Sequence, residues 1–170
     1  SFVSRGLGDV YKRQSIDSSG KSLHKRGYRL ETNEAPISEA LAAGLILLSG
    51  WDKKSHFVDG MCGSGTFLVE AAMIGANIPA NFNREHFAFQ DWPDYDESLW
   101  KLIRRSQLKR AQDCYGQIIG YDLNPDTVAS AKLNIVNSGL EDYIEIHCKN
   151  FFETKKPEGP THLVFNPPYG

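Results

Sequence analysis

Apolar and polar positions alternate in blocks along the chain, and the blocks read in turn as helices and strands. Residues 15–34 are polar and basic, with Lys21, His24, Lys25, Arg26 and Arg29 set around Leu23 and Tyr28, and predict a short hairpin or linker. Pro36 opens an apolar-rich stretch over 37–48 that ends before Gly50. Proline suits a first helical turn and glycine a stop, so this stretch predicts a helix. A short run at 56–61 predicts a strand, 62–66 a tight glycine loop, and the alanine-rich 67–76 a helix. Residues 77–93, rich in Asn, Pro and aromatics, predict an ordered surface insertion. Residues 97–114 predict a helix whose Lys101, Arg104, Arg105, Lys109 and Arg110 form a solvated face.

A second strand, at 117–123, runs into Asn124-Pro125-Asp126. These three supply an N-cap, a first-turn proline and an acid suited to the helix dipole. The helix they start is expected to run to Ser138 and stop at Gly139. Strands at 144–150 and 162–166 flank a polar loop at 153–160. Strands alternating with helices predict an α/β domain built on a parallel, doubly wound sheet.

Composition narrows the field. At 170 residues and 41% hydrophobic, the chain suffices for one domain with a sizeable core. Lys and Arg total 19 against 21 Asp and Glu, a formal charge of -2, so a polyanionic partner must be held by local patches or by another domain. The three cysteines are widely spaced and form no CxxC pair, which indicates neither a disulfide framework nor a zinc site and favours a reducing, cytoplasmic setting. No apolar run approaches the ~20 residues of a membrane span. The five histidines show no ligand spacing, so no metal is expected. Asp9 to Gln14 resemble the translated end of a transposon used to prepare sequencing libraries, and residues 1–14 are therefore expected to be a non-native or disordered leader. The terminal Asn166 to Gly170 read as a strand entering a loop. The domain over 35–170 is accordingly expected to be partial, truncated after its fourth strand.

Four segments with candidate chemistry fall at predicted carboxyl ends of strands, where open parallel sheets bind ligands. Asp59 to Thr66 contains Gly63-Ser64-Gly65, which lets backbone approach a ligand while the next helix offers unpaired N–H groups. No lysine follows the glycines and no GxGxxG is present, which argues against a P-loop and a dinucleotide fingerprint. Asp122 can accept both hydroxyls of a ribose. Asn150 ends the third strand. In Asn166-Pro167-Pro168-Tyr169, a carboxamide oxygen and a carbonyl fixed by prolines can both accept from an exocyclic amine, and Tyr169 offers a face for an extruded base. Each feature has a plainer reading: a joining turn at the glycines, an Asx turn at Asp122, a rigid strand-ending turn at Asn166.

Asp59-Gly60-Met61-Cys62-Gly63-Ser64-Gly65-Thr66, then Glu70-Ala71-Ala72, with Asn166-Pro167-Pro168-Tyr169 downstream, resembles the THUMP-associated RNA guanine-N2 methyltransferases, most of all the bacterial enzymes acting on large-subunit ribosomal RNA. The likeness extends to Ser22 through Arg29 and Ala35 through Ala43. It implies a Rossmann-like class I fold that uses S-adenosylmethionine. It also implies that Asp59, Cys62, Gly63, Ser64, Gly65 and Thr66 hold the methionine part, Asp122 the ribose, and Asn150 with Phe151 the adenine edge. Asn166, Pro167, Pro168 and Tyr169 would hold the target base. The family architecture adds an upstream THUMP domain and later strands. Two departures stand out: Gly60 replaces the usual proline, and Asn150 stands where many relatives carry aspartate. An adenine-N6 methyltransferase, acting on DNA or RNA, fits Asn-Pro-Pro-Tyr equally well. A noncatalytic RNA-binding relative with the same fold is a further reading, and a nicotinamide oxidoreductase a more remote one.

Overall fold

The computed structural model describes residues 15–29 and 37–167. Its principal elements are α1 (Glu39–Leu48), β1 (His56–Asp59), α2 (Thr66–Gly75), α3 (Glu97–Leu108), β2 (Ile118–Asp122), α4 (Pro125–Ser138), β3 (Ile144–Cys148) and β4 (Thr161–Val164). Short 3-10 turns occupy Ala88–Asp91, Glu141–Tyr143 and Phe151–Glu153. The expected leader over 1–14, residues 30–34 of the expected linker, and Pro36 lie outside the described residues.

Local chemistry explains the boundaries. Ser38 caps α1 by accepting from the Leu41 N–H, and Asp96 caps α3 through Leu99. Asn124 caps α4 through the N–H groups of Asp126 and Thr127, with Pro125 following, and Gly139 closes the helix at φ 67°. α3 ends at Leu108, short of the predicted 114. Arg110 and Ala111 donate three residues back, to the Gln107 and Leu108 carbonyls, and the Gln112 N–H turns to the Ala76 carbonyl. A tertiary partner thus replaces the next helical bond. Residues 15–29 contain no helix or strand; the N–H groups of Ala88 and Phe89 tie this segment down through the Ser19 and Ser18 carbonyls.

The four strands stand in the order β3-β2-β1-β4, and every neighbouring pair is parallel. The chain steps from β1 to β2 to β3 in one direction, then returns to place β4 on the far side of β1. The reversal creates a switch point between β1 and β4, where the crevice outside the carboxyl ends accepts a ligand.

Two successive crossovers in one direction put α2 and α4 on the same face, with α1 packed beside α2. The main core lies there, around Phe57, Leu68, Ile118, Ile135 and Leu140. Close approach depends on Gly120, where a Cβ would lie 2.4 Å from Leu68 Cδ1. The other face carries a smaller cluster of Val58, Ile119 and Tyr121, with Phe151 against it.

Candidate active site

β1 delivers Asp59 to the switch point. The residue is 1% exposed; Oδ1 accepts from the Met61 N–H at 3.1 Å, and Oδ2 has no partner among the described residues. Burial pushes its pKa up to about 7; the Met61 N–H opposes the rise and the Asp122 carboxylate adds to it. An acid so placed needs a cation or a donor to complete it.

The loop beyond Asp59 is held by backbone bonds. Cys62 N–H donates to the Tyr121 carbonyl at 2.9 Å, and Gly65 N–H closes a turn on the Cys62 carbonyl at 2.8 Å. Gly63 and Gly65 take left-handed φ values of 51° and 81°, which glycine adopts without strain. α2 starts at Gly65 without a side-chain cap, so the first turn offers N–H groups to an anion. Cys62 turns its side chain inward against Gly120, leaving only its backbone for the loop.

Asp122 spans two elements. Oδ2 accepts from Gly63 N–H at 3.0 Å and Oδ1 from Asn124 N–H at 2.9 Å. The Asx turn is therefore real, and the same carboxylate also bolts the glycine loop to β2. Asn150 caps its own turn, accepting from Phe152 N–H at 3.1 Å and donating to Glu153 at 2.9 Å. The ring of Phe151 lies so close to Gly60 that a Cβ there would sit 2.9 Å from it. This chain therefore has no room for a proline ring at position 60 unless Phe151 moves.

Asn166 lies two residues past the Asp59–Val164 register pair, beyond the carboxyl end of β4. It is exposed and makes no hydrogen bond among the described residues. Pro167 is likewise exposed. Pro168 and Tyr169 lie outside the described residues.

Sequence reasoning alone does not assign two supporting residues to the site. Asn134, 1% exposed on α4, donates to the Ser64 carbonyl at 3.0 Å. It shares its helix face with Val128, Ala131 and Ile135, and a carboxamide on an apolar face is the signal that points to it. Arg29 donates to Thr66 Oγ1 and to the Ile37 carbonyl, both at 2.7 Å, with Glu39 at 4.0 Å. Thr66 is 3% exposed, so its hydroxyl braces the loop from within. Glu70 accepts from Arg26 and from the Tyr28 hydroxyl, each at 3.4 Å, and so ties α2 to the 15–29 segment. Cys62, Cys114 and Cys148 are free thiols. Among the described residues no cluster of His, Cys, Asp or Glu is placed to hold a metal, and no helix is long and apolar enough to cross a membrane.

Known proteins resemble this chain in sequence and fold. The chain is 38% identical over 99% of its length to the ribosomal RNA large subunit methyltransferase K/L of Desulfotalea psychrophila, and 40% identical over 91% to that of Buchnera aphidicola. It spans about a quarter of those relatives, 24% and 23% respectively. Among solved structures, it matches SMU.472 complexed with SAH at 45% identity and a TM-score of 0.83, covering 91% of this chain and 40% of that one. A Listeria monocytogenes protein described as a predicted N6-adenine-specific DNA methylase matches at 40% identity and a TM-score of 0.83, covering 91% of this chain and 41% of that one. Residues 26–170 match the RMKL-like methyltransferase domain, and the chain belongs to that family.

Proposed function

We propose that this chain is the catalytic core of an S-adenosylmethionine-dependent enzyme that methylates the exocyclic N2 amine of a guanine in large-subunit ribosomal RNA. The observation that carries the reading is a juxtaposition at one switch point. A buried acid with an unpartnered oxygen and an uncapped, left-handed glycine loop stand on β1, and an exposed, uncommitted carboxamide follows β4.

The residues fit the cofactor. Asp59 Oδ2 is an acceptor awaiting a cationic or donor group, and the first turn of α2 can receive a carboxylate. Each oxygen of Asp122 accepts one N–H and retains a lone pair for a ribose hydroxyl. Asn150 with Phe151 would border the adenine, the Phe151 ring providing an apolar wall beside Gly60. S-adenosylmethionine supplies an electrophilic methyl group on its sulfonium.

The chain's own residues have an orienting task. The Asn166 side-chain oxygen and the Pro167 carbonyl accept the two N–H groups of the target amine, which aims its lone pair at the methyl donor. By the family resemblance, Tyr169 would stack on the flipped base. Orientation and exclusion of water supply most of the acceleration, so no strong general base is needed and the proton departs after transfer. Free thiols and an RNA substrate fit a cytoplasmic setting.

The test uses the intact gene product with S-adenosylmethionine and undermethylated ribosomal RNA, the modified nucleoside being identified by mass spectrometry. N2-methylguanosine is expected, and N6-methyladenosine would replace the substrate while keeping the site. Asn166→Ala should lower turnover about 100-fold or more with little change in cofactor affinity. Unchanged turnover removes Asn166 from the mechanism.

A further inference from the structure

One sizeable cavity lies away from the switch point. It encloses about 640 Å³ between the 15–29 segment, the chain after α2 and the end of α4. Buried Met73 and exposed Asn137 are among its lining residues. Met73 is seven residues along α2 from Thr66 and Asn137 twelve residues along α4 from Pro125, about 10 Å and 18 Å of helix from the ends nearest the candidate active site.

Its lining is cationic. Lys21, Lys25, Arg26 and Arg84 face it, and no carboxylate is among the lining residues. Lys21 and Lys25 are exposed and have no ion-pair partner among the described residues. Arg84 is fixed in place: it donates to the Ser19 carbonyl at 2.6 Å and the His86 carbonyl at 2.9 Å, and it stacks over Phe87 at 4.6 Å. Carbonyls hold the guanidinium without cancelling its charge. Glu70 pairs with Arg26, and the Asp17 carboxylate, which accepts from Ser19 and Gly20, lies close enough to Arg84 to feel its charge. Asn83 adds a carboxamide to the wall.

The whole chain carries a formal charge of -2, so diffuse attraction cannot hold a polyanion, and a fixed cationic hollow can. We propose that this hollow binds the phosphodiester backbone of the RNA substrate at a distance from the methylated base, with Lys21 and Lys25 as mobile phosphate ligands and Arg84 as a fixed one. The assignment rests on the RNA reading given above. Such contacts set register and orientation, while the base is read at the switch point.

The experiment compares the intact gene product with its Lys21→Glu/Lys25→Glu variant, using a fluorescein-labelled stem-loop of large-subunit ribosomal RNA and anisotropy across a salt series. Lys53→Glu/Lys54→Glu, an exposed pair outside the hollow, makes the same change in net charge. The expected result is binding at least about tenfold weaker at low salt for the first pair than for the second, with cofactor affinity unchanged. A milder Lys21→Gln/Lys25→Gln variant should flatten the slope of log K against log salt by an amount corresponding to about two lost phosphate contacts. Acetylation of Lys21 and Lys25 in the wild-type protein should slow when RNA is bound. Equal weakening by both charge-reversed pairs, or protection of the lysines by polyglutamate but not by RNA, overturns the proposal. RNA held through these lysines without N2-methylguanosine formation would keep the hollow and sink the substrate assignment. No RNA binding at all sinks both.

Discussion

Burial of Asp59 leaves one carboxylate oxygen unpartnered and lifts its pKa to about 7, and both facts reach the measurable behaviour of the protein. An acid whose folded pKa lies above its ordinary value of 3.8 favours folding while protonated. That contribution is complete below about pH 4 and is lost as pH rises towards about 7. Stability of the ligand-free protein is therefore expected to fall across this window in thermal denaturation, and Asp59→Asn should flatten the fall. A cationic ligand prefers the ionised acid, so affinity for S-adenosylmethionine should strengthen over the same window in calorimetric titration, and Asp59→Asn should abolish that dependence. A wild-type affinity independent of pH would separate Asp59 from cofactor binding. At this scale the sequence marks Asp59, Asp122 and Asn166 by position, because each follows a recognisable strand. It does not reveal the roles of Asn134 or Arg29, whose contacts cross 70 and 37 residues of chain.

Helix starts and stops are written locally, and the clearest case is α4, whose bounds agree at both ends with Asn124-Pro125 and Gly139. Caps act over three residues, so neighbouring letters suffice to place them. α3 shows the limit: the sequence continues in helix-forming residues, but the backbone of Gln112 is claimed by Ala76. The strands are shorter than predicted for a related reason. β1 ends at Asp59 because the Asp59 side chain folds the chain back on Met61, and β3 ends at Cys148 as Lys149 N–H turns to the Asp122 carbonyl. Contact between elements gives a sharper test at Gly120. Gly120→Val would drive a side chain into Leu68 and Cys62, and a loss of about 1–3 kcal/mol is expected in denaturant unfolding. An unchanged midpoint would show that α2 can shift away from β2 without loss.

At the scale of the whole molecule the two faces of the sheet differ. One is sealed by α1, α2 and α4, while on the other Val58, Ile119 and Tyr121 are covered, with Phe151 against them, and Leu163 and Phe165 stay 45% and 38% exposed. The isolated 170-residue polypeptide is therefore expected to bind the dye ANS. Absence of ANS fluorescence would show that Leu163 and Phe165 form no accessible apolar patch. Local sequence is enough for the alternation of strands and helices, the α4 caps, the glycine loop and the acids and amides at strand ends, since all of these depend on residues a few positions apart. Tertiary packing alone sets β4 beside β1, so that Asn166 follows the strand next to the one carrying Asp59, has Asn134 and Arg29 brace the glycine loop, and brings Lys21 and Arg84 to one hollow. These pairings join residues 37 to more than 100 positions apart, and the packing of α2 and α4 against the sheet, which no local pattern encodes, brings them together.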